Sequence, residues 1–108
     1  MDESVSVAWT TVATEDQATT LAKGALETGF VACVQIDGPI RSLYPWKGRV
    51  ESDTEYRLTF KLPTRHVAAA REWVLAAHPY ETAQWIVVTA TDVSAGYAQW
   101  VRNETKPH

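Results

Sequence analysis

Seven side chains in this sequence can do chemistry, and their types narrow what that chemistry is. Cys33 is the only thiol. A free cysteine mid-strand is commonly buried and inert. As a thiolate it is a soft ligand for Cu(I) or a borderline one for Zn(II), given an activating neighbour. His78 stands at the end of a helical stretch, directly before Pro79. There it acts either as a structural cap, with the helix dipole favouring its protonated form, or as an imidazole ligand or proton carrier. Tyr80 and Glu81 follow in a loop, where functional groups collect. Glu51 and Glu55 lie four apart on an alternating segment, so they share a face about 13 Å from each other. One subunit cannot close them on a single ion, whereas two could. Lys61 is on the same face and can neutralise it.

What is missing is equally informative. The sequence has no Cys-x-x-Cys, no His-x-x-His and no dense acidic loop. A tight metal site from one chain is therefore not expected. No nucleophile elbow or nucleotide motif occurs. The first strand–helix loop, Thr10 to Glu15, has neither glycine nor arginine to cradle a phosphate, as an acylphosphatase loop would. A non-enzymatic protein is the expectation.

The frame that must position these residues is a single domain. The 108 residues are 45% apolar and include five Trp, four Tyr and two Phe. Scaling predicts roughly 6,000 Å² of folded surface against about 17,000 Å² extended, enough burial for a real core. The net charge is −3 without a basic run, which argues against nucleic acid as a partner. No apolar run approaches a membrane span. A lone cysteine and an N-terminus without a signal-like pattern fit a reducing cytoplasm.

Along the chain, Ser4 to Thr11 reads as a strand. Thr14 and Gln17 have the spacing of a capping box for a helix through Ala18, Leu21, Ala22, Ala25 and Leu26, which Gly29 ends. Val31 to Ile36 is a second strand. The turn signal Asp37-Gly38-Pro39 interrupts it, and Ile40 to Tyr44 continues it past a bulge. Pro45 to Gly48 is a hairpin tip. Arg49 to Leu62 separates cleanly into an apolar even face and a charged odd face, one long antiparallel strand. Pro63-Thr64 opens a second helix, with Thr64 as its cap, that runs to Ala77. Gln84 to Thr91 is a fourth strand. Ser94 to Asn103 is a final helix with Tyr97, Trp100 and Val101 on one side.

The order β-α-β-β-α-β is the split βαβ pattern, an α+β ferredoxin-like fold with a four-stranded antiparallel sheet and the first and third strands central. In such a fold the second sheet face carries no helix. The hairpin is too long for this body: each arm would extend about 45 Å, whereas helices of about a dozen residues cover only about 20 Å. An overhanging ribbon tipped by Trp46 exposes edges and aromatic surface. Copies of the same chain are the economical cover, which implies a cyclic homo-oligomer; the alternative is a bulged hairpin folded back on a monomer.

Several segments together resemble the CutA family of divalent-cation tolerance proteins. They are residues 29–36 (GFVACVQI), residues 42–51 (SLYPWKGRVE), Glu55, Lys61, and residues 78–81 (HPYE). The likeness runs from about Val7 to Trp100. It implies a homotrimer of ferredoxin-like subunits, resembling the nitrogen-regulatory signal proteins in architecture, and a role in metal tolerance with copper or another divalent ion weakly bound. On that reading Cys33 and His78 are the metal candidates. Trp46, Glu51, Glu55, Lys61, Tyr80 and Glu81 are candidates for a small ligand between subunits. Gln35, Leu62-Pro63 and Ala83 depart from the family's usual Asn, Thr and Pro, and Gln35 bears on the polar contacts beside Cys33.

Overall fold

A computed structural model describes residues 3–107. Its elements run β1 (Val5–Val12), α1 (Glu15–Glu27), β2 (Cys33–Trp46), β3 (Arg49–Pro63), a 3₁₀ turn (Thr64–His66), α2 (Val67–Ala77), β4 (Ile86–Thr89) and α3 (Ala95–Asn103). The sheet is antiparallel in the order β2-β3-β1-β4, so the first and third strands are central as expected.

Local chemistry accounts for most element ends. Thr14 and Gln17 form the reciprocal capping box at the start of α1. Gly29 ends that helix at φ +80°, and a Cβ there would lie 2.1 Å from the carbonyl oxygen of Lys106, so no side chain fits. Lys47 and Gly48 both take positive φ between the paired residues Trp46 and Arg49. This is the signature of a tight two-residue hairpin turn. The β2–β3 register shifts between Asp37 and Ile40, at the expected interruption.

Three expectations change. Thr64 does not cap α2: its hydroxyl bonds to the hydroxyls of Ser4 and Ser6, and Pro63 leads into the 3₁₀ turn without a side-chain cap. The fourth strand is only Ile86–Thr89, because its partner β1 pairs with it over only four residues. The second sheet face is also not free of helices. Tyr97 of α3 lies against Cys33, which pairs with Lys61 on the charged face of β3. The last helix therefore crosses that face, with Val101 fully buried beneath it and Tyr97 stacked on Trp100 at its surface.

The core lies between the sheet and α1 and α2. Leu58 and Phe60 of β3 meet Ala8 and Val12 of β1, Leu21 and Ala25 of α1, and Val74 of α2. The long axis measures 46 Å against 28 and 21 Å, because the hairpin projects beyond this core. Val50 is 75% exposed, and Leu43 and Trp46 are each 58% exposed.

Candidate functional site

Where the hairpin leaves the body, its odd-numbered β3 residues meet the loop after α2. A cleft of about 650 Å³ forms there, lined by Tyr44, Trp46, Asp53, Glu55, Tyr80 and Glu81, with Ala13, Thr54 and Thr82 completing the rim. β2 brings Tyr44 and Trp46 across from Glu51 and Arg49. β3 brings Asp53 and Glu55 by alternation. The residues after α2 bring Tyr80 and Glu81.

Hydrogen bonds tie these elements together. The Tyr80 hydroxyl donates to Glu55 Oε2 at 2.9 Å. The Tyr44 hydroxyl donates to a carboxylate oxygen of Asp53. Both phenols are thereby held protonated. Burial and then the Glu55 carboxylate push Tyr80 well above the usual phenol range. The hydrogen bond to Asp53 pushes Tyr44 up to about 12.

His78 sits behind the cleft and is 8% exposed. Its Nδ1 accepts from the Tyr80 backbone N–H at 3.0 Å. That contact leaves the ring proton on Nε2, 3.0 Å from the Thr11 carbonyl and 2.9 Å from Thr10 Oγ1. The Thr10 hydroxyl in turn donates to the Gln84 carbonyl at 2.6 Å. Both ring nitrogens are engaged, and the ring positions the Tyr80 backbone. Burial lowers the imidazole pKa, opposed by the Thr11 carbonyl and Glu55. The dipole argument for a protonated ring fails here, since desolvation of a nearly enclosed imidazolium outweighs one helix terminus.

Cys33 belongs to a different place. It is half-buried opposite Lys61 at the far end of β3. The Lys61 ammonium donates to Gln35 Oε1 at 2.6 Å, so Gln35 does bear on the polar contacts beside the thiol. The Tyr97 hydroxyl lies beside the thiol, and burial and then that thiol raise its pKa. Thr10 pairs with Leu58, whereas Cys33 pairs with Lys61, three residues along β3 and of opposite parity. Cys33 and the His78 partner Thr10 therefore point to opposite faces of the sheet, and the two side chains do not form a Cys–His pair within one chain. Among the described residues no three His, Cys, Asp or Glu side chains are grouped to hold a metal.

The eight candidates thus divide. Trp46, Glu55, Tyr80 and Glu81 meet in the cleft. Glu51 lies farther out on β3, paired with Tyr44, and Lys61 lies with Cys33. Asp53 and Tyr44 were missed as candidates. Asp53 was within reach, since alternation alone puts it between Glu51 and Glu55. Thr10 carried no local signal, because its contact with His78 spans 68 residues.

A family sequence model described as CutA1 divalent ion tolerance protein matches residues 6–104. The chain belongs to the CutA1 family. Protein CutA of Homo sapiens is 36% identical over 103 residues, covering 95% of this chain and 58% of the human protein. The chain thus spans just over half the length of that relative. The divalent-cation tolerance protein CutA of Thermus thermophilus is 33% identical over 105 residues, covering 97% of this chain and 99% of that one. The crystal structure of CutA1 from Ehrlichia chaffeensis superposes with a TM-score of 0.93 at 29% identity, covering 95% of this chain and 96% of that chain. The ferredoxin-like arrangement is therefore the CutA1 fold. No described helix is long and apolar enough to cross a membrane.

Proposed function

We propose that this chain is a non-enzymatic, cytoplasmic divalent-cation tolerance protein that works as a homotrimer. Copper or another divalent ion is bound weakly, where chains meet. Family membership supports the tolerance role. The observation that carries the assembly is the hairpin tip, whose apolar residues Leu43 and Val50 are uncovered in the single chain. Such surface on a stable protein marks an interface, and obligate interfaces commonly exceed about 2,000 Å² in total. The metal belongs between chains because the described residues of each chain contribute isolated donors, Cys33 foremost, and no grouped set.

Sedimentation at micromolar concentration tests the assembly: three chains per particle are expected, and a stable single copy would overturn it. Elemental analysis should find less than one tightly held ion per chain. Copper titration of the wild type against Cys33→Ser and His78→Ala separates the ligands. Weakened binding in Cys33→Ser is expected, and unchanged binding in both variants removes these residues from the site.

A second reading has its own observation. The cleft between hairpin and body is roomy and lined by convergent polar groups, as small-molecule sites are. On this reading the trimer senses a small ligand held in clefts beside its subunit boundaries.

A further inference from the structure

We infer that the ligand class of this cleft is a small alkylammonium ion, an inference that rests on the second reading above. At about 650 Å³ the cleft is within the range of small-molecule sites. Its walls are three aromatic rings, Tyr44, Trp46 and Tyr80, and its polar groups are three carboxylates, Asp53, Glu55 and Glu81. No basic side chain lines it. Ring faces attract an ammonium or guanidinium through their quadrupole, and a carboxylate accepts its N–H groups. The two features select the same kind of ligand for different reasons.

The internal hydrogen bonds do not cancel that charge, and the nearest basic residues, Lys47 and Arg49, stand at the Trp46 end of the cleft. Asp53 and Glu55 accept from the neutral phenols of Tyr44 and Tyr80, contacts that orient the carboxylates without cancelling them. Glu81 is exposed and forms no ion pair among the described residues. The one ion pair among those residues, Arg57 with Asp37, lies outside the cleft. The chain also presents a cation to one of these rings itself: Lys47 Nζ sits 5.9 Å from the Trp46 ring centroid.

Other ligand classes fit less well. Nucleotides, phosphate and carboxylic acids would face like charge. A bare divalent ion would have to displace both phenol donors, and the three carboxylates are not grouped for it. An alkylammonium keeps those hydrogen bonds, rests its carbon chain on the rings and directs its N–H groups to Glu81 and the free oxygens of its neighbours.

The test uses the purified, assembled protein with n-butylammonium, neutral n-butanol and butyrate, which share an apolar chain. Ligand-observed NMR and calorimetry give the affinities. Butylammonium should bind at least tenfold more tightly than n-butanol. Glu81→Gln should weaken it about tenfold, and Trp46→Ala at least fivefold. Lys47→Ala should tighten it, since the chain's own ammonium no longer competes for the Trp46 face. Because Trp46→Ala can also disturb assembly, Glu81→Gln carries the test: Glu81 lies outside every helix and strand. Equal binding of n-butanol and butylammonium, or an unchanged Glu81→Gln, overturns the inference. Preference for butyrate overturns it while leaving the cleft a ligand site. No binding by any of the three removes the inference and the small-ligand reading together.

Discussion

The two halves of the long hairpin follow one sequence rule and meet opposite fates. In the inner half of β3 the even-numbered residues Leu58, Phe60 and Leu62 are fully buried. In the outer half Val50, at the same parity, is among the most exposed apolar side chains. Alternation decides only which face a side chain takes. Whether that face is dry depends on a second layer, and α1 and α2 end before the hairpin does. The inner half is therefore core. The outer half is apolar surface that waits for a neighbour, and the cleft forms where one becomes the other.

Breaking the inner half should have the largest effect. Phe60→Ala should cost about 3–5 kcal/mol of unfolding free energy, from lost burial and the cavity left behind. Urea denaturation measures it, and a change under about 1 kcal/mol would mean that the inner half is not core.

The joint between the halves should matter less. Tyr80→Phe removes the hydroxyl that bonds Glu55 and should cost about 1 kcal/mol by the same measurement. A loss above about 3 kcal/mol would show that the joint, rather than the core, holds the hairpin in place.

A pH titration of stability sharpens the contrast, because His78 and His66 both pack on the body and the tip has no histidine. Burial lowers the pKa of each in the folded state. The folded protein therefore binds these protons less readily than the unfolded chain. Their contribution is fully present above the ordinary histidine value of about 6.5. It is lost as pH falls from there toward the lowered folded values. His78→Gln should flatten this acid-side slope, and a tip variant such as Val50→Thr should leave it unchanged. A slope that steepened on acidification only in Val50→Thr would contradict the assignment.

The smallest effect belongs to the tip itself. Val50→Thr should change subunit unfolding by less than about 0.5 kcal/mol, as exposed substitutions do. It should raise the concentration at which the assembly dissociates, measured by sedimentation. A large loss in unfolding with unchanged assembly would show that the tip packs on its own chain.

The hairpin was the most legible part of the sequence. Its bulge near Asp37, its turn at Lys47-Gly48 and its excess length all follow from local spacing. The capping box at Thr14 and the stop at Gly29 were legible for the same reason, since each acts within four residues. Thr64 misled because two valid partners competed for one hydroxyl, and the distant serines of β1 won over the nearby helix. The placement of α3 was hidden because an amphipathic helix states which side is apolar but not which surface it covers.

For the site, sequence alone could name Glu55, Tyr80 and Glu81 and could put Glu51 and Glu55 on one face, because strand periodicity is a property of neighbouring residues. It could not separate His78 from Cys33, seat the imidazole on Thr10 and Thr11, or bring Tyr80 against Glu55. Those contacts cross 25 to 68 residues. They exist only after the sheet has paired and α2 has docked, since nothing within a few residues of either partner encodes the other.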